Sequence, residues 1–273
     1  MAARRRILAL GGHEFNHRNG NAAICDLVVD LVESSQPRIC LLPTASGDPE
    51  DQILRFRRAF GERDCIPTVV SLFRLGTKPM DLRSALLTQD AIYVGGGSLL
   101  NLLAIWRAHG LDQLLRECWR EGVLLCGQSA GAMCWFEGGI TSSSGKLMVG
   151  DGLGFLPGSA CVHYLSEPLR RRQLLRAVAC GELPGGLGLE DQTGALFEDE
   201  QLAEVVSTRD GAAVWRVTAN GGEASETPLS PRRLPGSEPW ADDWESEVAE
   251  LRQTLRVRAA SQGGRRRGSV RLD

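Results

Sequence analysis

Along the first half of the chain, short runs that are apolar at nearly every position alternate with longer stretches whose apolar positions recur every three or four residues. Residues 6–10 (Arg-Ile-Leu-Ala-Leu) form such a run and end at Gly11-Gly12, which predicts a buried strand closed by a tight turn. Residues 21–34 carry Ile24, Leu27, Val28, Leu31 and Val32 at helical spacing. The alternation continues with strands at 38–43, 68–73, 90–94 and 123–126. Helices fall at 48–62, 81–87, 99–109 and 111–121, the last two separated by Gly110. Strands without a polar face must be covered on both sides, and helices between them supply the crossovers of a parallel sheet. The pattern predicts a doubly wound, mostly parallel α/β fold.

The second half is less regular. Residues 138–160 are rich in Gly and Ser and read as loops with a short hairpin, and 168–180 reads as a helix. Four short apolar segments at 186–189, 195–197, 202–207 and 213–217 predict strands joined by turns, antiparallel at the edge of the sheet. From 220 to 239 the composition shifts to Gly, Pro, Ser and Glu, which predicts one α/β domain over residues 1–219. Residues 220–273 then read as a linker, an amphipathic helix at 242–259 and a basic tail containing Arg265, Arg266 and Arg267. That helix can pack on the domain or on a second copy of the chain, so a homodimer is an open arrangement.

Composition narrows the function classes. The 273 residues include 42% hydrophobic and 24% charged positions, an ordinary globular balance. A net charge of -3 gives no reason to expect nucleic acid or an acidic membrane as a partner. The apolar part of 7–10 is too short for the core of a signal peptide, and no run approaches a membrane span. A cytoplasmic location follows as the expectation. The eight cysteines include no Cys-x-x-Cys pair and mostly lie in apolar runs, so they read as buried, reduced thiols. Only four histidines exist, at 13, 17, 109 and 163. His13 and His17 are four apart but follow Gly-Gly, so a loop is expected there, and neither a metal nor another cofactor is called for.

One segment carries sharp chemistry. Gly127-Gln128-Ser129-Ala130-Gly131 follows the apolar run 123–126 and leads into Met133-Cys134-Trp135-Phe136. Gly-x-Ser-x-Gly between a strand and a helix is the nucleophile elbow. Its glycines let the helix approach the tight turn, and the serine hydroxyl stands clear near a helix N-terminus that favours developing negative charge. A serine needs a base. His163, at the end of the apolar run in Ala160-Cys-Val-His-Tyr, is the best candidate, whereas His109 before Gly110 reads as a helix cap. Gly95-Gly96-Gly97 after the 90–94 strand lacks the spacing and the Lys-Ser/Thr of a phosphate loop. It suits an oxyanion hole, in which a backbone N–H of a neighbouring loop joins that of Ala130.

Three blocks together, Tyr-Val-Gly-Gly-Gly-Ser-Leu-Leu-Asn-Leu-Leu (93–103), Gly-Gln-Ser-Ala-Gly-Ala-Met-Cys-Trp-Phe-Glu (127–137) and Gly-Leu-Gly-Phe-Leu-Pro with the following His-Tyr (152–164), resemble the peptidase E family. These are serine peptidases related to alpha-aspartyl dipeptidase and cyanophycinase, on a fold similar to class I glutamine amidotransferases. The resemblance spans about residues 6–217. It implies that Ser129 is the nucleophile, His163 the general base, and Gly97 and Ala130 the oxyanion donors. It also implies a short peptide substrate, typically Asp-X, whose carboxylate Arg170, Arg171 or Arg172 could meet. The family usually carries an acid shortly after the nucleophile helix, where this chain reads Ile140-Thr-Ser-Ser-Ser144. Glu137, Asp151, Glu190 and Asp191 are the available substitutes, with Asp191 named as third member; a Ser hydroxyl orienting His163 is the other arrangement. Since losing the orienting acid can cost about 10⁴ in kcat, a silent binding or regulatory protein on this scaffold is the competing reading. An amidotransferase ranks last, because position 129 is Ser rather than Cys.

Overall fold

The computed structural model describes residues 4–12 and 20–235. In chain order the elements are β1 (Arg6–Leu10), α1 (Gly20–Asp30), β2 (Arg38–Leu42), α2 (Glu50–Gly61), β3 (Ile66–Val69), α3 (Leu82–Leu87), β4 (Ala91–Val94), α4 (Leu99–Ala108), α5 (Leu111–Arg120), β5 (Leu124–Gln128) and α6 (Ala130–Met133). There follow β6 (Phe136–Thr141), β7 (Met148–Asp151), β8 (Leu156–Val162), α7 (Pro168–Ala179), β9 (Gly186–Leu189), β10 (Thr193–Glu198), β11 (Gln201–Ser207), β12 (Val214–Asn220), β13 (Glu223–Leu229) and β14 (Arg232–Arg233). An eight-stranded sheet has the order β14-β11-β10-β1-β5-β4-β2-β3, and a six-stranded sheet the order β13-β12-β9-β8-β6-β7. The five strands from β1 to β3 in that first order pair in parallel, while β10 and β11 extend the sheet antiparallel. This is the α/β architecture with a mostly parallel sheet and an antiparallel C-terminal edge.

Side-chain alternation along the strands divides the core. Ile7, Ala9, Cys40, Leu42, Ile92, Val94 and Leu125 face one layer, with α4, α5 and the inner side of the second sheet. Leu8, Leu10, Ile39, Leu41, Ala91, Tyr93, Leu124 and Cys126 face the other, with Val28, Phe56 and Phe60 of α1 and α2. Burying one such side chain contributes about 1.5–3 kcal/mol. This explains why the inner positions of these strands are apolar, with polar residues only at the strand ends. A third cluster joins Ile140, Cys161 and Tyr164 of the second sheet and its flank to Leu174, Ala177 and Val178 of α7.

Three expectations change. Residues 138–160 are mainly strand, because β6 pairs in parallel with β8 and antiparallel with β7; Gly139 is required there, as a Cβ would lie 2.0 Å from the Ala160 carbonyl oxygen. The strand expected at 68–73 stops at Val69, and Leu72 turns into the core through a short 3-10 turn. The domain does not end at 219: β13 pairs with β12 along its whole length, and β14 pairs with β11. Glu226 of β13 ties that hairpin to α7 through Arg171 and to Tyr164. The predicted helix at 242–259 and the arginine tail lie outside the described residues, as do His13 and His17. No helix among the described residues is long and apolar enough to cross a membrane.

Candidate active site

Parallel strands bring their carboxyl ends to one edge of a sheet, and the candidate residues meet there. β5 lies between β1 and β4, with Leu10 opposite Gln128 and Val94 opposite Gly127. Ser129 follows at once with φ 52° and ψ −115°, a strained conformation for a residue with a side chain. Its N–H donates to the Leu10 carbonyl at 3.1 Å, and its carbonyl accepts from Ala132 and Met133. The two flanking glycines are steric requirements. A Cβ on Gly127 would lie 2.0 Å from the Gly131 carbonyl oxygen, and one on Gly131 would lie 2.4 Å from that of Val94. Behind the elbow, Trp135 packs against Trp106 and Phe155 at centroid distances of 6.0 and 5.5 Å, a rigid aromatic backing for the four-residue α6.

His163 and Asp191 arrive from the second sheet. β8 and β9 pair in parallel with Val162 opposite Leu189, so the residues just beyond each strand emerge side by side. His163 (φ 55°) presents Nε2 at 3.0 Å from Ser129 Oγ and Nδ1 at 2.6 Å from Asp191 Oδ1. An ionised carboxylate only accepts, so this contact selects the tautomer protonated on Nδ1 and leaves the Nε2 lone pair for the serine hydroxyl. Ser166 Oγ donates to the other oxygen, Asp191 Oδ2, at 2.5 Å. The turn carrying Asp191 crosses from one sheet to the other. Its neighbour Glu190 is 3% exposed and accepts from Trp215 Nε1 at 2.8 Å and Arg209 Nη2 at 2.9 Å, while its carbonyl accepts from Thr193.

The glycine loop after β4 flanks the other side of Ser129. A Cβ on Gly96 would lie 3.3 Å from the Ser129 Cβ. Gly97 has φ +142°, and a Cβ there would fall 2.3 Å from the Ala45 carbonyl oxygen, which accepts the Ser98 N–H at 2.8 Å. Gly97, in the loop after β4, and Ala130, the first residue of α6, therefore belong to the two segments that border the nucleophile.

The remaining candidates have other duties. Arg170 is buried and bonds Glu167, the Ile140 carbonyl and Ser142, and Arg171 pairs with Glu226, so neither guanidinium joins the triad contacts. In the segment where the family acid was expected, Ser143 Oγ accepts the Leu99 N–H at the start of α4, and Thr141 bonds Ser143. Its hydroxyls brace the glycine loop and Arg170, and Nδ1 of His163 meets Asp191 instead. Glu137 accepts from the Gly158 N–H, and Asp151 ends β7 opposite Gly138. Ser166 and Gln128 carried no signal in the sequence beyond their adjacency to His163 and Ser129.

All eight cysteines are free. Burial pushes the Cys126 and Cys134 thiols, which flank the elbow, far above the ordinary range, so they stay protonated and are poor nucleophiles. Among the described residues no group of three or more His, Cys, Asp or Glu side chains could hold a metal ion.

The chain is similar to known proteins in sequence and in fold. The Peptidase family S51 profile matches residues 7–205. The protein Uncharacterized peptidase YgaJ of Bacillus subtilis (strain 168) is 42% identical over 230 residues, covering 84% of this chain and 99% of that one. A cyanophycinase of Geminocystis herdmanii (strain PCC 6308) is 26% identical over 212 residues, covering 72% of this chain and 77% of its own. In fold, the chain is similar to the crystal structure of a peptidase from an acI-B1 Actinobacterium, with a TM-score of 0.62 at 17% identity over 85% of this chain and 95% of that one. The profile match alone spans well over half of the sequence, and the chain belongs to peptidase family S51.

Proposed function

We propose that this S51 peptidase is a serine hydrolase that cleaves short peptides, of the Asp-X dipeptide type, through an acyl-enzyme on Ser129. The observation that carries the reading is the continuous contact from Ser129 Oγ through both nitrogens of His163 to Asp191. In this mechanism His163 takes the proton of Ser129 as the hydroxyl attacks the scissile carbonyl, and Asp191 stabilises the imidazolium that forms. The N–H groups of Gly97 and Ala130 receive the oxyanion, where donors fixed in advance cost no reorganisation during reaction. His163 then returns the proton to the leaving amine, and water repeats the sequence to release the acyl group.

The test is reaction of the purified protein with a fluorophosphonate probe beside Ser129→Ala and His163→Ala, followed by a dipeptide panel. Labelling confined to the wild type, with turnover of Asp-X peptides, is expected. A folded wild type that takes no label would sink the serine mechanism.

A further inference from the structure

A second polar group opens beside the nucleophile and has no part in the triad. Gln128 ends β5 on the same face as Leu124 and Cys126 and is only 7% exposed. Its Oε1 accepts a hydrogen bond from the buried Tyr93 hydroxyl at 3.2 Å. Burial raises the Tyr93 phenol well above its ordinary range, so it stays protonated as a donor. The carboxamide oxygen is thereby held inward and the NH₂ group outward. A Cβ on Gly96 would be 3.7 Å from Gln128 Nε2 and 3.3 Å from Ser129 Cβ, so this nitrogen borders the glycine loop and the nucleophile together. Nε2 meets no hydrogen-bond partner among the described residues and is not among the polar atoms sealed from solvent. A side chain this buried whose one open atom is a donor is built to be completed by something from outside.

The direction of the reaction says what that is. His163 hands its proton to the leaving amine, so the leaving half of a substrate lies on the β1 side of Ser129, where Gly12 touches the imidazole. The acyl half is left the β4 side, over Gly96, where Nε2 opens. We infer that Gln128 is a specificity-determining residue whose Nε2 donates to a carboxylate or carboxamide oxygen on the side chain of the acyl-side residue. This deepens the serine peptidase reading and rests on it. A neutral donor separates a carboxylate from a carboxamide far less sharply than a guanidinium does, so acyl-side Asp and Asn should both serve.

The experiment compares Asp-Leu, Asn-Leu and Ala-Leu as substrates for the wild type, Gln128→Met and Gln128→Glu. The expected result is kcat/KM for Asp-Leu and Asn-Leu within about 10-fold of each other. Gln128→Met should cost both about 10- to 100-fold, mostly in KM, with Ala-Leu little changed. Gln128→Glu should penalise Asp-Leu more than Asn-Leu, and fluorophosphonate labelling should persist in both variants. An equal loss for all three peptides, or a wild type that separates Asp from Asn more than about 100-fold, would overturn the assignment. Calorimetric binding of the same peptides to Ser129→Ala, with and without Gln128→Met, separates the two readings. A selective loss with Met supports the donor even where no serine chemistry is found, and binding indifferent to residue 128 defeats it.

Discussion

Gly12 and Asp191 are in contact so close that a Cβ on Gly12 would lie 2.2 Å from the Asp191 Oδ1, and 2.8 Å from the His163 Cε1. The turn after β1 is thus the floor on which the acid and the imidazole rest. The carboxylate is the far end of a flexible side chain, so it gives way before the backbone does, at the cost of its contact with His163 rather than of the fold. Gly12→Ala should therefore lower kcat by at least about 10²-fold, since misplacing a catalytic group by about 1 Å costs that much. The melting temperature should hardly move. A variant with normal kcat would show that the carboxylate position is not needed.

Gly131 makes the opposite case. Here the added Cβ would meet backbone, at 2.4 Å from the Val94 carbonyl oxygen and 2.9 Å from that of Gly95. Neither atom can leave without moving β4 and the glycine loop. Gly131→Ala is expected to destabilise by about 1–3 kcal/mol or more, read as a melting temperature lower by several degrees. Wild-type stability in this variant would mean that the helix–strand approach is looser than the contact distances require.

The contacts that His163 and Ser166 make with Asp191 are expected to differ in weight. Asp191→Asn can leave the shape intact but favours the wrong imidazole tautomer, and a loss of about 10⁴ in kcat is expected. Ser166→Ala removes one hydrogen bond to the carboxylate while His163 keeps its own, so its loss should be far smaller, about 10-fold. Both variants should retain the wild-type circular dichroism. Equal losses, or an unimpaired Asp191→Asn, would move the orienting role elsewhere.

The sequence carried the parallel half of the fold plainly, because β1, β2, β4 and β5 are buried on both faces and are apolar except at their ends, at Arg6, Arg38 and Gln128. It also exposed Ser129, since the elbow's glycines are dictated by contacts within a few residues. Asp191 was harder to assign. Its position opposite His163 follows from the β8–β9 register, a contact between segments 28 residues apart that no local pattern encodes. β13 was missed for a different reason. Glu223-Ala-Ser-Glu-Thr-Pro-Leu229 lies at a sheet edge, with exposed positions and a proline that an edge strand tolerates, and such a composition reads as linker. Arg170 and Arg171 of α7 drew attention as anion ligands because nothing in their spacing reveals that Glu167 and Glu226 already neutralise them.

That last pairing sets a pH dependence. Arg171 donates to Glu226 through Nε at 2.9 and 3.1 Å, and Tyr164 donates to it at 2.5 Å. The Arg171 hydrogen bond, aided by Tyr164 and by the guanidinium charge, outweighs desolvation and holds the Glu226 carboxyl below its ordinary value of 4.5. The folded state therefore favours the ionised form. In the window just below 4.5 the unfolded chain binds more protons, and stability rises with pH. The contribution is complete above about 4.5 and is lost as the pH falls through the lower, folded value. Glu226→Gln should be less stable than the wild type at pH 7 by about 1–2 kcal/mol, and the gap should close on acidification. Melting temperatures of both proteins between pH 7 and 3 test this. Curves that stay parallel below pH 4.5 would show that Glu226 does not tie the β12–β13 hairpin to α7 through its charge.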